Sequence, residues 1–243
     1  MQKSECRMQN EEKKLADDGL HSAFCILHYA FFPGSVAFVI ALLVDYPIAH
    51  AVHTSGLGHF VKGKWWAQVL KEPGEIQFTI AIAVLLLVCR RINWKMGLFV
   101  LLSGVLSGAN VVVKWLVGRS RPYKLPGSEE LKPFEVHPFW HGAWGFTHQS
   151  DLCFPSGHEC TAGALAVAVC IAWPRGRWIF IALAVLVGIE RVAENAHYAS
   201  NVIGAMGFAM LGTSLLYHIL AGWLRPATRP GFEVIVNSPE AST

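Results

Sequence analysis

The sequence predicts an all-α fold, a six-transmembrane helical bundle, and its composition is the first reason. Of the 243 residues, 53% are hydrophobic and only 15% are charged. The mean hydropathy is +0.39, and the apolar residues are grouped in long runs. Soluble domains carry about a quarter charged residues, so this balance indicates a membrane protein. The formal net charge of +3 is too small to favour nucleic-acid binding.

Six apolar segments approach the roughly 20 residues that cross a bilayer. They cover about residues 24–44, 75–89, 94–117, 159–173, 178–189 and 202–223. The second, fourth and fifth have short apolar cores and need flanking residues to reach that length. Polar tails at 1–19 and 226–243 flank a single six-span domain at 20–225, whose longest outer loop covers about 123–154.

Basic residues in the short loops predict the orientation, because cytoplasmic loops carry an excess of Lys and Arg. Four precede the first span, three separate the second from the third, two separate the fourth from the fifth, and two follow the sixth. With six spans all these groups lie on one side. We therefore expect a multi-pass protein with both termini cytoplasmic, so that in a bacterial inner membrane the opposite face would be periplasmic. Further basic residues in the outer loops break this bias, which indicates that some of them serve a ligand.

Three polar stretches are expected to meet on the outer face, and the first is KWLVGRSRP. Lys114 and Arg121 are seven residues apart, two helical turns, which predicts that both lie on one face at the end of the third span. Pro122 is then expected to stop the helix. Taken alone, the pair is also typical of cations that extend from a helix to the membrane surface.

The second stretch, FPSGHE, directly precedes the fourth span. Ser156 and Glu159 form a capping-box pattern. Gly157 permits close backbone approach, and the first-turn N–H groups of the helix would favour an anion. His158 is either an incidental neighbour of this cap or a functional residue, and the stretch alone leaves both open.

The third stretch, ERVAENAHYASN, places Arg191 and His197 between the fifth and sixth spans. Ionisable groups at a membrane edge are functional candidates, although a lone histidine is more often structural. Together the three stretches supply two guanidinium groups, an ammonium, two histidines and a helix N-terminus. That set suits a phosphate, with forked donors for its oxygens, one histidine to attack and another to protonate the leaving group. No carboxylate cluster suited to a metal is visible in the sequence, so we expect no metal and no cofactor.

The motifs Lys-x6-Arg-Pro at 114–122, Pro-Ser-Gly-His at 155–158 and Arg-x5-His at 191–197 resemble the three signature motifs of the type-2 phosphatidic acid phosphatase superfamily. The resemblance covers about residues 20–225. It implies an integral membrane enzyme with six spans that hydrolyses a lipid phosphate without a metal. The family's vanadium-binding relatives, the haloperoxidases, share the anion pocket but are soluble, and the composition disfavours them.

The resemblance also implies a role for each site residue. His197 would attack phosphorus to form a phosphohistidine, and His158 would be the general acid for the leaving group. The phosphoryl oxygens would be held by Lys114, Arg121, Arg191, Ser156 and the Gly157 backbone N–H.

The third motif departs from the family pattern Ser-Arg-x5-His-x3-Asp at both ends. Glu190 stands at the serine position and Asn201 at the aspartate position. On a helix, residues four apart can touch, so we expect Asn201 to reach His197 and to act with it in catalysis. Asn supplies an acceptor oxygen but no charge. Three explanations stay open: a slow enzyme with Asn201 as a neutral orienter, replacement of the aspartate by Glu190 or Glu194, or a catalytically inactive binder.

The outer loops suggest a substrate held at the bilayer surface. Aromatic residues in the loop at 123–154 predict a lid or rim in the headgroup region, with His137, His141 and His148 as ordinary rim residues. An earlier outer segment with Trp65 and Trp66 predicts a short interfacial helix. The expected partner is a phosphorylated lipid in the membrane. The sequence does not choose between phosphatidic acid, phosphatidylglycerol phosphate, a polyprenyl diphosphate and a lipid A phosphate, or between hydrolysis and phosphotransfer, and it leaves the oligomeric state open.

Overall fold

The protein is described here by a computed structural model over residues 33–122, 135–139, 142, 146 and 150–224. The predicted tails at 1–19 and 226–243 lie outside these residues, as does most of the loop at 123–154. His141 and His148 of that loop also lie outside them.

Helices make up almost all of the regular structure in the described ranges. They are α1 (Pro33–Thr54), α2 (Leu57–Val61), α3 (Trp65–Lys71), α4 (Ile76–Val88), α5 (Trp94–Ser107), α6 (Asn110–Val117), α7 (Gly157–Ala172), α8 (Arg177–Ala193) and α9 (Ala199–Leu224). Short 3-10 turns precede α4 and α8. The all-α class is thus confirmed. The described residues also contain two isolated antiparallel bridges just after the end of α6.

Helix α7 lies at the centre of the bundle and packs against α5, α8 and α9. Most of its residues are buried, which explains why it is apolar on every side. Small residues let its neighbours approach closely: a Cβ added at Gly163 would lie 3.1 Å from the Cβ of Ala209 in α9. The largest hydrophobic core cluster joins α7 to the inner faces of α4, α5, α8 and α9.

Among the described residues, three helical stretches are long and apolar enough to cross a membrane: α1, the α5–α6 stretch and α9. Helices α4 and α7 are apolar but have only 13 and 16 residues. At about 1.5 Å per residue they fall short of the hydrocarbon core of about 30 Å. The six predicted segments are each at least partly helical in the described residues, but crossing of the membrane by all six remains a prediction.

The first span differs in position from the sequence prediction. It was expected over 24–44, whereas the described helix runs from Pro33 to Thr54. The helix therefore continues ten residues beyond the predicted end of the span. Asp45, the residue directly after the predicted span, is completely buried and paired with Arg119, so its charge does not require the helix to stop at the membrane surface.

The two ends of the bundle are chemically distinct. At one end the start of α5 meets the end of α9, where Lys95 Nζ donates to the carbonyl oxygen of Trp223 at 2.6 Å and the Trp94 and Trp223 rings stack edge to face. The opposite end gathers the C-termini of α6 and α8 and the N-termini of α7 and α9. All three predicted motifs lie at this second end.

Candidate active site

His197 lies in the short link between α8 and α9 and is buried. Its Nδ1 is 2.8 Å from the carbonyl oxygen of Cys153. Since a carbonyl oxygen only accepts hydrogen bonds, Nδ1 carries the proton and Nε2 keeps its lone pair. Burial lowers the pKa of His197 well below its ordinary value of 6.5. The positive charges of Arg121, Lys114 and Arg191 lower that pKa further. The site thus presents a neutral imidazole whose Nε2 can act as a nucleophile.

Lys114, near the end of α6, lies beside the first residue of α7. A Cβ built on Gly157 would be 3.5 Å from Lys114 Nζ and 3.5 Å from Asn110 Oδ1. The first-turn N–H groups of α7 have no partner within the helix and point out of its N-terminus. Ser156 at the N-cap is buried, and its Oγ has no hydrogen-bond partner in the part of the chain that the structure describes. An ammonium, backbone donors and a buried hydroxyl therefore converge where an anion fits.

The helix that carries Lys114 ends earlier than the sequence predicted. It stops at Gly118, whose φ of +63° is left-handed, rather than at Pro122. A Cβ on Gly118 would lie 1.9 Å from the carbonyl oxygen of His137. Any larger residue would collide with that backbone, so glycine is required at this turn.

Arg121 follows this turn in an extended segment, and its backbone N–H donates to the carbonyl oxygen of Asp151 at 3.1 Å. The prediction that Lys114 and Arg121 share one helical face is therefore wrong, because the helix has already ended. The two charges nevertheless both lower the pKa of His197. The chain brings the two cations to one pocket through a turn rather than through helical periodicity.

Arg191, the third predicted phosphate-binding cation, is buried near the end of α8 and is held by two carboxylates. Its Nε and Nη2 donate to the two oxygens of Glu190 at 2.5 and 2.7 Å. Its Nη2 is also 2.6 Å from Glu194 Oε2. The contacts do not support replacement of the missing aspartate by Glu190 or Glu194, since both carboxylates bind Arg191 rather than His197.

His158, the second residue of α7, pairs with a carboxylate that sequence reasoning did not include. Its Nε2 is 2.9 Å from Glu75 Oε1, and both side chains are partly exposed. The backbones approach closely: a Cβ on Gly74 would lie 2.6 Å from His158 Cβ. Glu75 therefore fixes the imidazole of His158 at the mouth of the site.

The predicted capping box at the start of α7 does not form. Ser156 makes no side-chain cap hydrogen bond, and Glu159 is buried. The Glu159 carboxyl faces α8, where its Oε2 is 3.1 Å from the position of a Cβ on Gly188. The Ser156 hydroxyl is consequently left for another partner.

Asn201 lies in the first turn of α9 and does not contact His197 through a hydrogen bond. Its Oδ1 accepts from Arg119 Nη1 at 2.5 Å, while the carbonyl of Cys153 occupies Nδ1 of His197. The expected contact is absent because His197 precedes the helix, which begins at Ala199, so helical spacing does not apply to the pair.

Sequence reasoning also missed Asp45 and Arg119, which lie in the interior at this end of the bundle. An acid within an apolar run was a usable signal for Asp45, because intramembrane charges are seldom incidental. Glu75 gave a weaker signal as an acid at the start of a span. The Cys153 carbonyl gave none, since a backbone group leaves no trace in the sequence.

The part of the chain that carries the three motifs matches a known family. The family model described as PAP2 superfamily matches residues 92–225, which is more than half of the chain and includes all three motifs. Lipid A 1-phosphatase of Rhizobium etli is 28% identical over 201 residues, covering 72% of this chain and 78% of that protein. Undecaprenyl-diphosphatase BcrC of Bacillus subtilis is 27% identical over 185 residues, covering 75% of this chain and 87% of that protein.

Among solved structures, a transmembrane PAP2 type phosphatidylglycerolphosphate phosphatase from Bacillus subtilis is similar at 22% identity, with a TM-score of 0.44, over 80% of this chain and 99% of that one. The family match, rather than this structural likeness, is decisive, because it spans the motifs whose side chains meet at one end of the bundle. The chain belongs to the PAP2 superfamily.

Proposed function

We propose that this protein is a membrane-embedded phosphatase that hydrolyses the phosphomonoester or diphosphate of a lipid through a phosphohistidine at His197, without a metal. The observation that most supports the proposal is the state of that histidine. It is buried and neutral, its Nδ1 is engaged by a backbone carbonyl, and cations surround it. Such a ring is prepared to attack an anionic phosphorus centre once the cations have reduced the substrate's charge.

The reaction would proceed in two steps. The substrate phosphate binds between Lys114, Arg121 and the first turn of α7. Nε2 of His197 forms a bond to phosphorus as the bond from phosphorus to the lipid oxygen breaks. His158 donates a proton to that departing oxygen, which leaves as an alcohol or a phosphate. In the second step water forms a bond to phosphorus as the bond from phosphorus to Nε2 of His197 breaks, His158 takes the proton from water, and inorganic phosphate is released.

The substrate is proposed to be a lipid because the site lies at one end of an apolar bundle and because named relatives act on lipid phosphates. One relative is a lipid A 1-phosphatase and another an undecaprenyl-diphosphatase. These two substrates, together with phosphatidic acid and phosphatidylglycerol phosphate, form the natural test panel. The proposed setting is a bacterial inner membrane with six spans, cytoplasmic termini and a periplasmic site.

The test is phosphate release by the full chain in detergent micelles containing each lipid, with and without a chelator. We expect activity on at least one lipid, retained with the chelator and inhibited by vanadate. His197→Ala should lower kcat on the order of 10⁴-fold or more, the scale of nucleophile removal in other enzymes. His137→Ala is the matched control, because His137 is an exposed histidine of the predicted rim. Full activity in His197→Ala would overturn the mechanism.

A second candidate is a membrane protein that binds lipid phosphate without turning it over. The pairing of Arg191 with both Glu190 and Glu194 favours it, since a phosphate must compete with two carboxylates for that guanidinium. Saturable lipid binding without phosphate release on any lipid of the panel would support the binder. A lipid-to-lipid phosphotransferase would instead require an acceptor lipid, and adding diacylglycerol or a polyprenol with a labelled donor tests for it.

A further inference from the structure

A buried charge pair connects α1 to the start of α9. Asp45 in α1 has no exposed surface, and Arg119 is almost as buried. Arg119 Nη2 lies 2.7 Å from Asp45 Oδ2. The guanidinium also stacks over the ring of Tyr198, with its carbon 4.3 Å from the ring centroid. Two such groups are strongly interdependent, because removing either leaves an uncompensated charge in the interior.

Asp45 also holds the first turn of α9 directly. Its Oδ1 accepts from the backbone N–H of Ser200 at 2.9 Å, and its Oδ2 accepts from the Ser200 hydroxyl. The carboxylate therefore caps the N-terminus of α9 from another helix, where a negative charge is favoured by unpaired N–H groups and the helix dipole.

Arg119 extends the same contact to the neighbouring residue of that turn. Its Nη1 donates to Ser200 Oγ at 2.7 Å and to Asn201 Oδ1 at 2.5 Å. The first turn of α9 is thus held by one carboxylate and one guanidinium that both reach it. His197 lies only two residues before this helix, so a shift of the first turn of α9 would move the imidazole relative to the Cys153 carbonyl that it contacts.

We propose that Asp45 is a positioning residue for His197. It acts through Arg119 and the first turn of α9 and supplies from α1 the carboxylate that position 201 lacks. The proposal rests on the proposed function, in which His197 is the nucleophile. It explains how the chain functions with a neutral Asn201: the charge of Arg119 is already balanced, and the amide oxygen only has to accept one hydrogen bond.

A consequence separates this proposal from the simpler view that Asn201 weakens the enzyme. Asn201→Asp would place a second carboxylate next to Arg119, beside Asp45. In the contacts described above, one guanidinium would then face two buried carboxylates. Activity is then expected to fall, whereas restoration of a missing catalytic aspartate would make it rise. Moving the carboxylate from position 45 to position 201, with Asp45→Asn and Asn201→Asp together, keeps one carboxylate beside Arg119 and should preserve most of the activity.

The experiment is a four-member cycle of the full chain: wild type, Asp45→Asn, Asn201→Asp and the double variant. We expect each single change to lower kcat about 10- to 100-fold, the range for loss of a residue that orients a catalytic or ligating histidine. KM should stay near the wild-type value, because Lys114 and Arg121 are untouched. The double variant, with the wild-type formal charge, should recover most of the lost kcat and should unfold at a higher temperature than either single variant.

A control for the position of the removed carboxyl is available in Glu159, another buried acid. Glu159→Gln/Asn201→Asp also combines an aspartate at position 201 with the loss of a buried carboxyl, but that carboxyl faces α8 and does not contact Arg119. It should remain as impaired as Asn201→Asp alone.

Three outcomes would overturn the proposal: higher activity in Asn201→Asp, unchanged kcat in Asp45→Asn, or a double variant that fails to recover, whether folded or not. If wild type releases no phosphate from any lipid, the proposed function fails instead. The unfolding temperatures then still test whether positions 45 and 201 share the charge of Arg119. If the two substitutions change the unfolding temperature independently, that pairing is rejected.

Discussion

The two histidines of the site are held in opposite ways. His197 is buried and its Nδ1 meets an uncharged backbone carbonyl, whereas His158 is partly exposed and its Nε2 meets the carboxylate of Glu75. An uncharged carbonyl fixes one tautomer of the ring but favours the protonated form less than a carboxylate does. The two histidines therefore have partners that suit the nucleophile and acid roles proposed for them, and four substitutions can break or sharpen this contrast.

Of these four substitutions, His158→Ala is expected to have the largest effect, and its size should depend on the leaving group. On a phosphomonoester we expect kcat to fall about 10²–10⁴-fold, the usual contribution of a general acid. On a diphosphate lipid the fall should be much smaller, because a departing phosphate needs a proton less than an alkoxide does. Phosphate release from a phosphatidic acid and a polyprenyl diphosphate measures the difference, and equal losses on both would contradict the acid role.

Glu75→Gln should have an intermediate effect of the same kind. The amide can still hold the imidazole of His158 but cannot stabilise its positive charge, so kcat on a phosphomonoester should fall about 10-fold. The loss should grow as the pH rises, since protonated His158 becomes scarce at a lower pH than in wild type. Glu72→Gln is a control at a neighbouring acid of the same turn, and an equal loss there would show a general charge effect.

The smallest effect concerns the pH dependence that His197 imposes. Because burial and the nearby cations lower its pKa below 6.5, Nε2 stays unprotonated as the pH falls past that value. The acid limb of kcat/KM should therefore lie below pH 6.5. Lys114→Met removes one of those cations, so the pKa of His197 should rise and the acid limb should move to higher pH. This shift is separate from any loss of phosphate binding, which lowers the rate at every pH.

Cys153→Ala separates the backbone from the thiol in the same profile. Burial raises the pKa of the Cys153 thiol to about 11, so it is neutral near pH 7. The carbonyl that holds His197 is retained in the variant, and the acid limb should not move. A displaced limb would show that the side chain, rather than the backbone, controls the imidazole.

The sequence predicted the membrane class, the family and the three motifs that lie at one end of the bundle. The spacing of Lys114, His158 and His197 within their motifs carried that information without a structure. Six spans remain a prediction, since the lengths of α4 and α7 do not by themselves decide whether they cross. The lid at 123–154 cannot be compared with the structure, because most of it lies outside the described residues.

The contact partners of these residues could not be predicted from spacing within the motifs. Helical spacing predicted that Asn201 reaches His197 and that Lys114 shares a face with Arg121, and both expectations are wrong for one reason. A helix begins after His197 and another ends at Gly118, so periodicity was applied across helix ends. Glu75 and Asp45 lie 83 and 155 residues from the groups they contact, His158 and Ser200.

By itself the sequence determined the chemical inventory: which cations, histidines and apolar segments the chain contains, and their order. Composition and short-range spacing are local properties of the chain, so apolar segments and motifs can be recognised from neighbouring residues alone. The tertiary structure decided which charge each group meets, because burial and long-range packing set the pairing of Asp45 with Arg119 and of Glu75 with His158. In an apolar interior each charge must find a partner, and only the folded arrangement of helices determines which partner is within reach.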